Sequence, residues 1–350
     1  MTAPAGHRPV PFPALTAPVV AAPMAGVSNP GLVAAVNAAG GLGFLAAGYQ
    51  TPARLAQDIR VTRSRTAAPF GVNIFVPGPA RSAPERSRAA QAVAEYAARL
   101  APEAAHLGVT LPEPDWDDTD HWDAKVTLLA EIDRVAVVSF TFGCPPAATV
   151  GRFHAAGSSV AVTVTTPGEA TTARDAGADV LIVQGFEAGG HRATHRVDDE
   201  PNNLDHLALL PTLAEVGLPM IAAGGITTAG DVRRALAAGA FAVSVGTAFL
   251  RTEEAGTSAA YRMGLSDPQL GSIITRAFSG RPARGLANRF AREHAGSAPP
   301  VFPQVDQLTK PLRAAAAARG DLDVVALWAG SGWRATREEP AGAVVTRLSG

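Results

Sequence analysis

The stretch Val180-Leu-Ile-Val-Gln-Gly-Phe-Glu-Ala-Gly-Gly-His191 joins an apolar run to a glycine-rich loop. Residues 180–183 are apolar without alternation, which is typical of a strand that is buried on both faces. Gln184 would then lie at the carboxyl end of this strand, where α/β barrels and doubly wound sheets bind their ligands. Gly189 and Gly190 have no Cβ atom, so their N–H groups can approach a flat or anionic ligand. An ordinary glycine turn would have the same local sequence, so the rest of the chain must decide between a simple turn and a ligand-binding loop.

Short apolar runs alternate with alanine-rich helical patterns along the whole chain. The predicted strands cover residues 19–22, 42–45, 70–75, 135–140, 160–164, 180–183, 220–223 and 242–245. Helical patterns lie between most of them, for example at residues 30–39, 52–62, 169–176 and 229–238. Eight such units predict an α/β protein with a parallel (β/α)8 TIM barrel. A doubly wound sheet is the alternative, but the Gly-x-Gly-x-x-Gly motif that should follow its first strand is absent.

Two long segments interrupt this alternation and divide the chain. We expect the barrel to occupy residues 1–251, with a long helical elaboration at about 78–130 over one face. Residues 252–318 follow the eighth strand and are expected to form a helical or irregular subdomain that caps the substrate side of the barrel. Residues 319–350 are expected to pack back on the barrel, with a helix or strand at 324–330.

Size and composition exclude several classes of protein. A chain of 350 residues can bury a large core, and its net charge of −1 favours neither nucleic acid nor an anionic membrane as a partner. No apolar run is long enough to cross a bilayer, and residues 1–8 lack the basic-then-apolar layout of a secretory leader. Cys144 is the only cysteine, which excludes internal disulfides and cysteine-based metal sites and predicts a reducing, cytoplasmic environment.

Two further glycine loops follow the last two predicted strands. The first carries Gly224 and Gly225, and the second carries Gly246 and Thr247. In α/β barrels these two loops commonly bind a phosphate, because the free N–H groups of a glycine turn lie beside the positive end of the next helix. Thr247 can add a hydroxyl donor. Two such loops in succession favour a phosphate site over two ordinary turns.

Three side chains near other strand ends suit the ring system of a flavin. Met24, next to Ala25 in a loop that begins with proline, offers a flat and polarizable surface. Asn73 in the third strand and Gln184 at the end of the sixth carry amide groups that need partners when they are buried. Such amides can meet the pyrimidine edge of an isoalloxazine ring, and satisfied core amides are the alternative interpretation. Together with the phosphate loops, these residues favour a flavin mononucleotide (FMN) site.

The motifs around these residues resemble those of a known family. They are Ala22-Pro-Met-Ala-Gly-Val-Ser28, Ala38-Ala-Gly-Gly-Leu-Gly43, Gly71-Val-Asn73, Val137-Val-Ser-Phe140, Gln184-Gly-Phe-Glu-Ala-Gly-Gly-His-Arg192, Ile221-Ala-Ala-Gly-Gly-Ile226, Gly246-Thr247, Ser279-Gly-Arg-Pro-Ala-Arg284, Asn288-Arg-Phe290 and Leu327-Trp-Ala-Gly330. With these motifs the chain is similar to the nitronate monooxygenase family (2-nitropropane dioxygenase-like FMN enzymes), and its pattern is close to that of the bacterial class I members.

The resemblance implies a barrel enzyme with noncovalently bound FMN. The cofactor contacts expected on this basis are Met24, Ala25, Asn73, Gln184, Gly189, Gly190, Gly224, Gly225, Gly246 and Thr247. The implied reaction is the one-electron oxidation of an alkyl nitronate by the flavin, followed by reaction with O2 to give a carbonyl compound and nitrite. The expected partners are therefore a small-molecule substrate and O2. A homodimer is a candidate assembly, and neither nucleic acid nor a membrane is expected as a partner.

The chain departs from the family pattern at the catalytic histidine. The family has Ser-Phe-His-Phe-Gly after the fourth strand, and the histidine position here carries Thr141. A threonine hydroxyl ionises far above neutral pH, so it can donate a hydrogen bond but cannot replace a histidine base. We therefore expect weak proton abstraction from neutral nitroalkanes and retained oxidation of preformed nitronates. His191 is the remaining catalytic candidate, and a loop histidine that orders backbone carbonyls is the alternative.

The sequence leaves open the role of several other residues and some alternative functions. Arg281 and Arg284 are candidates for binding an anion or for forming salt bridges. No metal site is expected, because the histidines and acidic residues near His191 fit no standard ligand spacing. An NAD(P)H-dependent FMN reductase of quinones or enoyl thioesters would use the same barrel loops. A biosynthetic flavoenzyme with a changed nitro, oxime or enone substrate is a further alternative, and a flavin-binding protein or partner subunit with little catalysis is the non-enzymatic one.

Overall fold

The eight predicted apolar runs all form strands of one parallel sheet in the computed structural model, which describes residues 9–350. With three short strands outside that sheet, the strands are β1 Val19–Ala21, β2 Phe44–Ala46, β3 Gly71–Phe75, β4 Val137–Thr141, β5 Ser159–Val164, β6 Val180–Gln184, β7 Gly190–His191, β8 Met220–Ala223, β9 Ala242–Val245, β10 Ser272–Thr275 and β11 Ala283–Leu286. Residues 1–8, on which the prediction of no secretory leader rests, lie outside the described residues.

Helices connect the strands, and several begin at caps that the sequence contains. Asn29 caps the first helix by accepting the N–H groups of Gly31 and Leu32, and Pro30 follows at a position where a missing N–H is harmless. The helices are α1 Pro30–Ala38, α2 Pro52–Arg65, α3 Ala83–Leu107, α4 Trp122–Thr127, α5 Ala147–Ala155, α6 Pro167–Ala176, α7 His206–Leu213, α8 Ala229–Ala237, α9 Ala259–Ser266, α10 Arg289–Glu293, α11 Gln304–Arg319 and α12 Ala341–Ser349. Within residues 9–350, no helix combines the length and the apolar character needed to cross a membrane.

The sheet curls into a nearly closed barrel. Its strand order is β1-β9-β8-β6-β5-β4-β3-β2, and a bridge between Val20 and Leu42 joins the two edges. Alternate side chains face two different layers, since Val20, Phe44 and Val180 belong to one buried cluster while their strand neighbours pack with the helices in another. This arrangement confirms the predicted (β/α)8 barrel.

A second, antiparallel sheet lies outside the barrel, and part of it is formed by residues that were expected to be helical or irregular. β11 pairs with β10 and also with β7, where Ala283 lies opposite His191 and Arg284 lies opposite Gly190. Residues 252–318 are therefore not purely helical or irregular, because they contain two strands besides α9, α10 and α11. A run as short as Ser-Ile-Ile-Thr has no period that separates a strand from a helical turn, which is why the sequence did not reveal it.

The long elaboration and the C-terminal tail both contact the rest of the fold. The elaboration contains α3 and α4, and α3 packs against α11. The tail ends in α12, which packs against α1 and α8. Residues 324–330 form neither the helix nor the strand that was expected, because only an isolated bridge joins Trp328 to Gly285.

Candidate active site

One cavity of about 570 Å³ lies at the carboxyl ends of the barrel strands. Its walls include every residue that the sequence predicted as catalytic or cofactor-binding, namely Met24, Ala25, Asn73, Thr141, Gln184, Gly189, Gly190, His191, Gly224, Gly225, Gly246 and Thr247. A volume of this size falls within the range of cofactor and ligand pockets. The barrel explains the convergence, because all of its strands end on the same face.

The loops after β8 and β9 present free backbone donors to the cavity. In residues 9–350, no acceptor takes the N–H group of Gly224, Gly225 or Gly246. Gly224 and Gly225 have φ angles of 104° and 73°, and a Cβ atom on Gly225 would collide with the carboxylate of Glu187. Thr247 Oγ1 accepts a backbone N–H from the C-terminal tail at 2.9 Å, so its own proton remains available. Such a group of donors can bind an anion such as a phosphate.

A carboxylate occupies the two N–H groups just before α8. Asp231 Oδ2 accepts the N–H of Thr227 at 2.9 Å and that of Thr228 at 2.8 Å. In this capping arrangement Thr227 and Thr228 cannot donate to a ligand. The N–H groups of Gly224 and Gly225, earlier in the same loop, remain available to one.

The buried Asn73 and the half-buried Thr141 form a hydrogen-bonded pair beside the cavity. Asn73 Nδ2 donates to Thr141 Oγ1 at 3.0 Å and to Ser139 Oγ at 3.0 Å. The Asn73 side-chain oxygen has no donor among the described residues and is the amide atom that a ligand can use. Because Thr141 Oγ1 accepts from Asn73, its own hydroxyl proton is free to point elsewhere. The pair therefore offers one acceptor and one donor to a ligand.

Gln184 holds the loop that follows β6. Its Nε2 donates to the carbonyl of His191 at 3.0 Å, and its Oε1 accepts the N–H of Ala193 at 2.9 Å. Both ends of the amide are thus engaged by its own loop, although the side chain still lines the cavity. These bonds fix the position of Gly189 and Gly190 on the cavity wall.

Aromatic rings surround His191. Its ring centroid lies 5.4 Å from that of Phe142, 6.0 Å from that of Phe302 and 5.6 Å from that of Trp328. Its Nε2 lies 2.7 Å from Ser279 Oγ. The rings shield part of the half-buried imidazole from water, and Ser279 leaves Nδ1 as the nitrogen available to a ligand.

The same surroundings keep His191 neutral. Burial, followed by the positive charges of Arg281 and Arg313, lowers the pKa of His191 to about 3. The imidazole therefore carries no charge near neutral pH. A neutral ring of such low basicity suits hydrogen bonding to an anionic ligand better than it suits proton abstraction from a weak carbon acid.

Arg281 and Arg284 bind backbone carbonyls. Arg281 is 3% exposed, donates to the carbonyl of Thr194 at 2.9 Å and lies over the ring of Phe142 at 4.2 Å. Arg284 donates to the carbonyl of Phe186 at 3.0 Å. Neither arginine lines the cavity, and neither forms an ion pair in the described part of the chain. The salt-bridge alternative is therefore wrong for the described residues, and anion binding by these arginines stays a prediction.

Sequence reasoning missed Lys310 and Arg313 on a polar face that α11 presents to the cavity. Asp306, Lys310 and Arg313 all line it, and Arg313 Nη2 lies 2.8 Å from Asp306 Oδ1. Lys310 is exposed and has no carboxylate partner in residues 9–350. The spacing of these residues places them on one face of a helix, and this is the signal that could have found them. Tyr49, which also lines the cavity, follows β2 with no such pattern.

Comparison with known proteins identifies the family. The family model described as nitronate monooxygenase matches residues 12–349. The nitronate monooxygenase of Pseudomonas aeruginosa is 40% identical over 338 residues, which cover 95% of each protein. That of Paraburkholderia phytofirmans is 36% identical over 356 residues, which cover 99% of this chain and 96% of the relative.

Solved structures point the same way. The structure of nitroalkane oxidase from Streptomyces ansochromogenes matches with a TM-score of 0.90 and 47% identity, over 96% of this chain and 95% of that one. FabK from Thermotoga maritima matches with a TM-score of 0.72 and 25% identity, over 95% of this chain and 92% of that one. A family match over nearly the full length, with relatives well above 30% identity, shows that this chain belongs to the nitronate monooxygenase family.

Proposed function

We propose that this protein is an FMN-dependent monooxygenase that oxidises alkyl nitronates with O2 to a carbonyl compound and nitrite. The observation that carries the proposal is that all twelve residues predicted from the sequence line one cavity. The names of its relatives, nitronate monooxygenase and nitroalkane oxidase, support the same substrate chemistry.

The residues of the cavity fit FMN. The free N–H groups of Gly224, Gly225 and Gly246 suit its phosphate, and the side-chain oxygen of Asn73 suits a donor on its ring. Bound FMN would accept electrons from the nitronate and transfer them to O2. The proposed contacts are Met24, Ala25, Asn73, Gln184, Gly189, Gly190, Gly224, Gly225, Gly246 and Thr247. Among these, Gln184 acts through the loop that its amide holds.

Thr141 and His191 are the proposed catalytic residues, and both act as hydrogen-bonding groups. The hydroxyl proton of Thr141 is free to meet a nitronate oxygen, since Asn73 Nδ2 donates to its oxygen. If the Ser279 hydroxyl donates to His191 Nε2, the ring proton lies on Nδ1 and can meet the second nitronate oxygen. A nitronate is already deprotonated, so it needs no strong base. The two residues would orient the anion and shield it from water.

An anaerobic donor screen tests the proposal. The purified protein should be yellow with an FMN spectrum, and propionate 3-nitronate should bleach that spectrum in the absence of O2. Readmitting O2 should restore the colour and release nitrite, which a colorimetric assay measures. A colourless protein that fails to bind added FMN would contradict the cofactor assignment.

The same screen decides between the proposal and its main rival. NADH and NADPH are mixed with the protein under identical conditions, and we expect neither to reduce the flavin rapidly. If a nicotinamide reduces it and nitronates do not, the protein is a reductase and the monooxygenase proposal is wrong.

The proposed partners are a small-molecule substrate and O2, and a homodimer remains the candidate assembly. The net charge of −1 gives no attraction to nucleic acid. We also propose a cytoplasmic location, because Cys144 is the only cysteine and would remain a thiol there. Fractionation of the source cells with an antibody to the protein would test this location.

A further inference from the structure

Two separate parts of the chain line the open end of the cavity. One is the turn after β2, where Tyr49 lines the cavity and is 38% exposed. The other is α11, which places the exposed Lys310 on the same cavity. These parts lie far apart in sequence and belong to no common sheet, so other contacts must fix the distance between them.

Residues 115–125, here named the bracket segment, form hydrogen bonds with α11. The N–H of Asp115 donates to Gln307 Oε1 at 2.8 Å, and its carbonyl accepts from Gln304 Nε2 at 3.0 Å. Gln307 Nε2 also donates to Asp118 Oδ2 at 2.6 Å. Because Gln304 is only 2% exposed, water does not compete for its bond. The bracket segment is thus tied to the first turns of α11.

The other end of the bracket segment holds the turn after β2. Asp120 Oδ1 accepts the N–H of Tyr49 at 2.9 Å. Lys125 Nζ lies 2.7 Å from Asp120 Oδ2 and donates to the carbonyl of Ala47 at 2.8 Å. The Lys125 side chain is 1% exposed and that of Asp120 is 19% exposed, so the ammonium group is desolvated while its carboxylate partner keeps some contact with water. The turn is therefore held on both sides of Gly48.

The backbone at this junction adopts a conformation that is unfavourable without contacts from neighbouring residues. Tyr49, Asp120 and His121 have φ angles of 65°, 54° and 54°, in the left-handed region that is rare for residues other than glycine. Such a conformation persists when surrounding contacts impose it. The Asp120–Tyr49 bond and the Lys125 pair are contacts of this kind. Without these contacts, the turn after β2 is free to relax and Tyr49 is free to move.

We propose that the bracket segment sets the width of the substrate entrance, with Asp120, Lys125 and Gln307 as positioning residues. The identity of the substrate as a nitronate rests on the proposed function. Asp120 holds Tyr49 on one side and Gln307 holds α11 on the other, so a change at either end alters both sides. A loosened entrance holds small nitronates less well and admits bulkier ones.

Two variants test the two ends of the bracket segment. The double variant Asp120→Ala/Lys125→Met releases Tyr49 and removes both members of the buried pair, so that no unpaired charge remains. Gln307→Ala removes two of the three hydrogen bonds between the bracket segment and α11, leaves the Gln304 bond in place, and is the milder change because Gln307 is partly exposed. For ethyl nitronate we expect KM to rise about fivefold, the factor that corresponds to one lost hydrogen bond, while kcat and FMN content stay unchanged. The ratio of kcat/KM for cyclohexyl nitronate to that for ethyl nitronate should rise in both variants.

Hydrogen exchange of the FMN-loaded protein provides a readout that needs no substrate. Each variant should speed exchange in both residues 47–50 and residues 304–310, because the bracket segment joins them. Faster exchange confined to the altered end in each variant would overturn the proposal. Unchanged selectivity between the two nitronates would overturn it as well.

Two control variants match these substitutions. Asp117→Asn alters the same segment, but that side chain is 80% exposed and pairs only with Arg86. Gln91→Ala removes a glutamine from α3, where it bonds Glu95 at 3.1 Å and contacts neither side of the entrance. Neither control should change KM or exchange at the two sites. If nitronates fail to reduce the unaltered protein, the proposed function is wrong. The hydrogen-exchange result alone then supports or overturns the proposed positioning role of the bracket segment.

Discussion

Thr141 stands at the position where the sequence resemblance predicts a catalytic histidine, and the structure gives its hydroxyl a defined partner. Asn73 Nδ2 donates to Thr141 Oγ1 at 3.0 Å, and both residues line the cavity. The hydroxyl is therefore prepared as a hydrogen-bond donor. This residue pair favours an anionic substrate that arrives without the proton that a base would have to remove.

The substitution Thr141→His tests this interpretation. A histidine of ordinary pKa at this position would supply a general base, whose contribution is typically about 10²- to 10⁴-fold in rate. We expect turnover of neutral nitroethane to rise by a factor in this range, with little change for ethyl nitronate, in steady-state assays at pH 8. Thr141→Ser keeps the hydroxyl and serves as the control, for which we expect no gain in turnover of nitroethane. If Thr141→His shows no gain either, the missing base is not the limiting feature.

The lowered pKa of His191 predicts a pH-dependent stability. The folded-state pKa is about 3, whereas an unfolded histidine titrates near 6.5. Between these values the unfolded chain binds more protons, so the free energy of unfolding falls as the pH drops from about 6.5 towards 3. His191→Gln should remove part of this slope. Urea unfolding at pH 7 and pH 4.5 measures it, and equal slopes in both proteins would contradict the pKa assignment.

Among the elements, the irregular stretch at 324–330 shapes the site as much as any strand does. The N–H of Gly330 donates to Thr247 Oγ1 at 2.9 Å, and the next residue, Ser331, donates its N–H to the carbonyl of Glu187 at 3.0 Å. A Cβ atom on Gly189 would collide with the backbone of Gly330. The tail and the loop after β6 therefore touch backbone to backbone, which only glycines allow.

Gly330→Ala should disturb this contact. A Cβ atom at this position would lie 2.8 Å from the carbonyl oxygen of Glu187, so the tail must shift. We expect a loss of about 1–3 kcal/mol in the free energy of unfolding and weaker FMN binding, measured by denaturation and flavin fluorescence. Gly342→Ala is the matched control, because its Cβ atom would lie 3.7 Å from Ala39 Cβ in ordinary contact. Equal effects of the two substitutions would count against a tight tail contact.

At the scale of the whole molecule, the barrel collects loops from distant parts of the sequence into one cavity. β1 and β9 are neighbours in the sheet although they lie at opposite ends of the barrel sequence, and their loops bring Met24 next to Gly246. A ligand that binds these loops binds only the folded chain. Cofactor binding and global stability are therefore linked.

This linkage predicts that FMN stabilises the apoprotein. At a concentration of about 100 times its Kd, FMN should add about 2.7 kcal/mol to the free energy of unfolding, measured by urea denaturation with and without cofactor. Riboflavin lacks the phosphate that the free N–H groups of the glycine loops would bind, so it should stabilise less at the same concentration. Equal stabilisation by both flavins would show that these loops do not bind the phosphate.

Much of the fold and of the cavity could be predicted from local patterns. Unbroken apolar runs are typical of strands buried on both faces, and all eight barrel strands were predicted from them. Glycines directly after the strands indicated the loops that line the cavity. β10 and β11 were missed because four residues carry too little periodicity. The face of α11 at the cavity was missed because a polar helix face is also typical of a solvated helix.

The sequence by itself determined the barrel, the order of its loops and the types of residue that reach its open face. Only the tertiary structure decided which atoms remain free for a ligand. Gln184 is engaged by its own loop, Asn73 keeps only its oxygen free, and Arg281 binds a carbonyl. The physical reason is that burial patterns are local and repeat with the period of each element, whereas the partner of a polar atom is set by contacts between segments far apart in the chain.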